Sequence, residues 1–233
     1  MSVALITGAS RGLGQALARE LSARGWSLVL DARGAKALDE TVSSLRSGPV
    51  TAVVGDVSNP DHRAELAAAI AQAGRLDLLV NNASHLGPSP QPLLADYPLD
   101  DLARVYEVDV LAPVAIAQLA LPWLVDSGGV LINITSDAAV EAYEGWGGYG
   151  SAKAALDQVT AVLASEQPGI GCYAFDPGDM RTEMHQRAFP DEDISDRPEP
   201  ETVLPALLQL VDERPASGRY RASDMLAAVA AAR

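Results

Sequence analysis

The stretch Val3-Ala4-Leu5-Ile6-Thr7-Gly8-Ala9-Ser10-Arg11-Gly12-Leu13-Gly14 runs from a short apolar segment straight into three glycines, and a helical pattern follows. An apolar run of this length, closed by a glycine turn, reads as a buried strand feeding a helix. Glycine suits the turn because it accepts unusual backbone angles, and because a Cβ would hold a pyrophosphate away from the amides. The bare N–H groups and the helix dipole then attract an anion. Thr7, Gly8, Ser10, Arg11, Gly12, Leu13 and Gly14 are therefore expected to form the phosphate-binding turn of a dinucleotide site.

Outward from this turn, short apolar runs alternate with longer Ala-rich helical patterns. Strands are expected at Val3 to Thr7, Ser27 to Leu30, Val50 to Gly55, Leu76 to Val80, Val130 to Thr135 and Ile170 to Phe175. Helices are expected at Leu13 to Arg24, Ala35 to Arg46, Asp61 to Ala73, Asp100 to Val125 and Tyr149 to Glu166. Such alternation signifies an α/β fold, a doubly wound parallel sheet covered on both faces, whose ligands lie beyond the carboxyl ends of the strands. A last helix near Glu201 to Val211 and a strand near Gly218 to Arg221 are expected to close the domain. The segment from Met180 to Glu201 has no clear periodicity, and residues 180–200 read either as a loop over the site or as a plain solvated connection.

At 233 residues the chain is sized for one domain, residues 1–233. A net charge of -14 opposes nucleic acid and anionic membrane surfaces, since phosphate binding needs clustered Lys and Arg. The longest uncharged stretch, Val110 to Val125, is shorter than the roughly 20 residues that span a bilayer, so it reads as a buried helix. The lone Cys172 cannot form an internal disulfide, and the first residues lack a signal-peptide pattern, which makes the cytoplasm the expected compartment. The histidines His62, His85 and His185 are scattered, which argues against a metal site and a serine-hydrolase triad alike.

The end of the second strand bears on cofactor choice. Its sequence is Leu30-Asp31-Ala32-Arg33. With Ala32 at the position that faces the ribose 2′-oxygen, Asp31 points to the opposite face of the strand, and Arg33 and Arg11 could clamp a 2′-phosphate. NADP(H) is then preferred. If the strand ends one residue earlier, Asp31 becomes the ribose ligand and NAD(H) is the cofactor.

The fifth strand leads into Ser136, and Tyr149-Gly150-Ser151-Ala152-Lys153 follows 13 residues after that serine. Tyr149 and Lys153, four apart on a helix, share one face. A phenol with an ordinary pKa of about 10 is a poor base at neutral pH, and a neighbouring ammonium brings it closer to useful range. Ser136 could hold a substrate oxygen. Tyr143, Trp146, Met180 and Met184 are candidates for an apolar substrate pocket.

In order along the chain, the Thr7-Gly8-x-x-x-Gly12-x-Gly14 turn, Asp56-Val57, Asn81-Asn82-Ala83, Ser136, the Tyr149/Lys153 pair and Pro177-Gly178 followed by Thr182 resemble the short-chain dehydrogenase/reductase family. The resemblance covers essentially the whole chain. It implies a Rossmann fold of strand order 3-2-1-4-5-6-7, an oxidoreductase acting on a small-molecule carbonyl or alcohol, and a homodimer or homotetramer built partly on the two long helices. It further implies that Asp56 and Val57 hold the adenine and that Asn82 and Ala83 support the cofactor-side loop. By the same resemblance Lys153 binds the nicotinamide ribose, and Thr182, after Pro177 and Gly178, contacts the carboxamide.

One departure stands out. The family usually places an Asn in the long helix after the fourth strand, where this sequence has Val108-Asp109-Val110. An ionised Asp109 would offset the field of Lys153 and push the Tyr149 phenol up, whereas a protonated one could mimic the amide. The departure also leaves room for a different reading, an NADP(H)-binding sensor or scaffold protein that kept the fold and lost turnover.

Overall fold

The computed structural model describes residues 1–231; residues 232–233 of the expected domain lie outside the described residues. Seven parallel strands form one sheet in the order β3-β2-β1-β4-β5-β6-β7. They are β1 Val3–Ile6, β2 Ser27–Ala32, β3 Val50–Val54, β4 Leu78–Asn81, β5 Val130–Ile134, β6 Gly171–Asp176 and β7 Gly218–Arg221. Strand side chains alternate between faces, and both faces are covered. Ala4, Ile6, Leu28, Leu30, Val130 and Ile132 pack on one side with α1 (Gly12–Ala23) and later helices. Val3, Leu5, Val29, Leu79, Leu131 and Cys172 pack on the other, beneath residues of the helices that follow β3 and β4.

After β2 come α2 (Ala35–Ser43) and, after β3, α3 (Pro60–Ala73). The start of α3 is fixed by Pro60 at its first turn and by the Asn59 side chain, which accepts from the Asp61 N–H at 2.9 Å; Gly74, left-handed at φ 70°, ends it. The helix expected at Asp100 to Val125 is present but not uniform. It comprises α4 (Leu99–Tyr106), a wide π turn over Glu107–Leu111, and α5 (Ala112–Ser127). Pro113 has no N–H to offer the Asp109 carbonyl four residues back and its ring would crowd that oxygen, so a wider turn is the local solution. By length and composition the continuous span Leu99–Ser127 could cross a membrane, but half of its most apolar window is buried in the domain, where α5 packs on β4 and β5.

The remaining helices are α6 (Gly147–Glu166), α7 (Glu183–Ala188), α8 (Leu204–Asp212) and α9 (Ala222–Ala231). The segment expected to be irregular thus contains α7, capped by the Thr182 hydroxyl, which accepts from the His185 N–H at 3.2 Å. α9 is an element the periodicity did not reveal. Strand β2 runs two residues beyond its expected end at Leu30, and Asp31 and Ala32 pair with Val53 and Val54 of β3. That extension settles the register left open by the sequence.

Candidate active site

A cleft of about 610 Å³ lies at the carboxyl edge of the sheet, and loops following all of β1 to β6 contribute to its wall. Part of its floor is the glycine turn. Gly8 and Gly12 are left-handed, at φ 65° and 53°. A Cβ on Gly14 would lie 2.5 Å from the Gly8 carbonyl oxygen and 2.6 Å from Asn82 Nδ2, so no other residue fits there. The turn is tied down from beneath. Asn82 donates to the carbonyls of Thr7 and Gly8 at 2.8 and 3.1 Å, while the N–H groups of Asn82 and Ala83 both reach the Thr7 hydroxyl at 3.0 Å. Gly8, Ser10, Arg11, Gly12 and Leu13 line the cleft, whereas Thr7 and Gly14 sit one layer back.

Ala32 and Arg33 line the neighbouring wall. Arg33 is exposed and has no ion-pair partner among the described residues. Asp31 is 1% exposed, and its two oxygens are occupied by the Gly8 N–H at 2.9 Å and His62 Nε2 at 2.8 Å. The expected joint clamp of Arg11 with Arg33 is not formed: Arg11 reaches across the cleft mouth and pairs with Glu183 at the start of α7. An exposed guanidinium takes the carboxylate within its reach, and Glu183 is the one presented. Asp56 and Val57 line the cleft beyond Arg33. Burial opposes the charge on Asp56, but the Ser58 N–H and hydroxyl and Arg104, whose Nη2 lies 2.6 Å away, outweigh it and hold the carboxyl below its usual range.

At the opposite half, Ser136 follows β5, and Tyr149 and Lys153 stand one turn apart on α6. All three line the cleft. The Lys153 ammonium is buried, donates to the Ile134 carbonyl at 2.9 Å, and lies 5.4 Å from the centre of the Tyr149 ring. Asp109 is fully buried behind it, its Oδ1 3.3 Å from Lys153 Nζ. The Asp109 carboxylate also accepts from the Ser84 hydroxyl at 2.5 Å and from the His85 N–H at 3.1 Å. Ser136 accepts from the Ala138 N–H at 3.2 Å and donates to Asp137 at 2.9 Å, so it caps a turn while facing the cleft.

Burial pushes the Tyr149 phenol up; Lys153 pulls it down, Asp109 pushes it up again, and the net direction is upward. For Lys153, burial disfavours the ammonium, yet Tyr149 and Asp109 together raise it. The His85 ring is pushed down by burial.

The third wall comes from the chain after β6. Gly178, left-handed at φ 71°, turns the backbone after Pro177, and both line the cleft together with Thr182, whose methyl faces Gly12. Tyr143, Trp146, Met180 and Met184 also line it. Trp146 stands edge-on to Tyr149 at 5.8 Å and against Phe189 at 5.6 Å. Three further sets of contacts link the site to residues that, Asn81 apart, lay outside any motif. Arg219 of β7 donates to the Ser136 carbonyl at 2.9 Å and to Asp176 at 3.0 Å, His62 holds Asp31, and Asn81, Asn133 and Thr160 form a buried chain with 2.8 Å links. Each partner is far away in sequence, and no local signal marks it.

Comparison with known proteins bears on what this cleft does. Residues 2–193 match the family model described as short chain dehydrogenase. A 2-(R)-hydroxypropyl-CoM dehydrogenase of Xanthobacter autotrophicus is 33% identical over 202 residues, covering 84% of this chain and 81% of the relative. Among solved structures, a short chain dehydrogenase of Shigella flexneri complexed with NADP superposes with a TM-score of 0.87 at 26% identity, covering 95% of this chain and 97% of the other. A short chain dehydrogenase of Escherichia coli complexed with NADPH gives a TM-score of 0.87 at 28% identity, with 95% and 96% covered.

Proposed function

The chain belongs to the short-chain dehydrogenases, and from that membership we propose that it is an NADP(H)-dependent oxidoreductase interconverting a small-molecule carbonyl and alcohol, with Tyr149 moving the proton. One observation carries the proposal: a buried ammonium beside a phenol opens onto the same cleft as a glycine turn that a single Cβ would fill. Thr7, Asn82 and Asp31 preset the turn's amides for a pyrophosphate. Arg33, unpaired at the wall beyond Ala32, suits a 2′-phosphate, and the NADP and NADPH complexes of the two structural relatives support that choice.

When bound, the dinucleotide supplies or takes up the hydride. The chain's own residues handle the oxygen. In reduction the Tyr149 hydroxyl gives its proton to the carbonyl oxygen, and the Ser136 hydroxyl, released from Asp137, donates a hydrogen bond to the same oxygen. The phenolate left behind is met by the Lys153 ammonium, held in place by the Ile134 carbonyl and Asp109. Oxidation of an alcohol runs the same steps in reverse. The exposed Leu111 of the π turn, Leu119 and Val125 on α5 and Val162 on α6 support assembly as a homodimer or homotetramer.

The test is Tyr149→Phe. Turnover of a ketone and aldehyde panel with NADPH is expected to fall by about a thousandfold or more, with the NADPH dissociation constant within about twofold of wild type. A phenylalanine variant that turns over normally would remove the proton-transfer role. The clamping of Lys153 by Asp109 is the one feature that favours a sensor or scaffold instead. Wild-type protein that binds NADPH but reduces nothing in the panel would make that reading the better one.

A further inference from the structure

Beneath the adenine half of the cleft lies a buried pair that the reaction does not use. Asp31, one residue before Ala32, contributes to the cleft wall although it is almost wholly enclosed. Its Oδ1 accepts from the Gly8 N–H and its Oδ2 meets His62 Nε2, on the first turn of α3. His62 is 4% exposed, and the space for its ring is made by Gly55, directly after β3, where a Cβ would collide with the imidazole. A strand end, a helix start, the glycine turn and the space left at Gly55 all converge on one carboxylate–imidazole pair. Such convergence marks a built arrangement, not an incidental contact.

The position matters because a carboxylate at this strand end has two possible uses. Facing the cleft, it would accept from a ribose 2′-hydroxyl and repel a 2′-phosphate, which carries about −1.5 to −2 charges. Turned inward and matched by a cation, it does neither. We propose that His62 is a positioning residue for cofactor choice: it takes up the second oxygen and offsets the charge of Asp31, leaving Ala32 and Arg33 to receive a 2′-phosphate. The inference rests on the NADP(H) reading above.

The electrostatics agree with the geometry. Asp31 raises the His62 pKa above its ordinary value, against the effect of burial, and Glu65 and Asp56 add to the rise. The charged groups facing the ring are thus Asp31 from β2, Glu65 from α3 itself, 3.8 Å from Nδ1, and Asp56 after β3. All are acidic, so a neutral imidazole would leave this pocket with uncompensated negative charge near the phosphate site.

Dissociation constants for NADPH and NADH, measured by fluorescence titration without substrate, test the proposal. His62→Leu is expected to lower the ratio Kd(NADH)/Kd(NADPH) by about tenfold. His62→Gln, which keeps a donor, should fall between this variant and wild type, and adding Asp31→Asn to His62→Leu should restore most of the ratio. A folded His62→Leu with the wild-type ratio, or a double variant as impaired as the single, overturns the inference. Should His62→Leu not fold, the wild-type protein carries the test. From about pH 7, above the second phosphate ionisation near 6, to about pH 9.5, its ratio is expected to fall as His62 loses its proton. Asp31→Asn should hold its ratio constant, and a flat wild-type ratio or an equal fall in both proteins overturns the proposal. A wild-type protein that binds NADH as tightly as NADPH at every pH would instead overturn the cofactor reading, whatever the variants do.

Discussion

Asp31 and Asp109 are buried at opposite halves of one cleft, and the two carboxylates are matched by different bases. Asp31, beside the glycine turn, faces a histidine and a backbone N–H. Asp109, behind Tyr149 and Lys153, faces a lysine, a serine hydroxyl and a backbone N–H. Both arrangements meet the same requirement, that a buried charge be paired and hydrogen-bonded. They differ in what they do with pH. An imidazole gives up its proton at lower pH than an ammonium does, so the Asp31 pair is the one that can lose its positive member as pH rises. The lysine, raised by its surroundings, keeps its charge to higher pH. The difference teaches that burial of an acid in a nucleotide-binding fold need not be a static cost: the partner decides whether the site is fixed or adjustable.

The largest effect that could break this comparison is expected from Lys153→Met. It leaves Asp109 with two neutral donors and should lower stability by about 3–5 kcal/mol. Thermal melting would show the loss, and turnover should drop by about a hundredfold or more, since the phenolate also loses its cation. A variant with wild-type melting and turnover would mean that Asp109 is not balanced by Lys153 at all.

Next in size is Asp109→Asn. Asp109 raises the Tyr149 phenol, so the amide should lower it and move the limb for alcohol oxidation toward acid. In the reductive direction, activity should begin to fall at correspondingly lower pH. Superimposable pH–rate profiles for the two proteins would show that the charge on Asp109 does not reach the phenol.

A smaller effect sharpens the contrast from the other half. The His62 pKa is raised in the folded chain, so the pair stabilises the fold fully below about pH 6.5 and progressively less as pH rises through the folded-state pKa. Chemical denaturation at rising pH should show a loss of stability that His62→Gln does not show. Equal pH dependence in both proteins would place the titration elsewhere.

The smallest effect is expected from Arg11→Ala. Its bond to Glu183 spans the cleft mouth, but the side chains are 60% and 61% exposed, so stability should change by less than about 0.5 kcal/mol. A larger change in melting would put this exposed pair in the same class as the two buried ones.

What could be read from the sequence was local. The glycine turn, Ser136 and the Tyr149/Lys153 spacing each announce themselves within a few residues, and six of the seven strands begin as apolar runs. Where the structure departs from these expectations, the causes are distant partners or weak local patterning. Strand β2 runs past Leu30 through a charged residue, Asp31, which is enclosed by a histidine 31 positions away. Arg11 was expected to face a ligand, but Glu183, 172 positions on, meets it first. α7 is only six residues long and shows no helical period, and the Ala-rich α9 offers little contrast between its faces. The π turn at Asp109 follows from a proline four residues later, and the amphipathic pattern on either side hides it.

Cys172 sits near the start of β6, fully buried and paired with Leu131 of β5, and burial pushes its thiol up to about 11. In the folded chain neither an alkylating reagent nor an oxidant meets a thiolate. Because it is the sole sulfhydryl, its slow labelling under native conditions becomes a clock for the rarest event in the molecule, the parting of the central sheet.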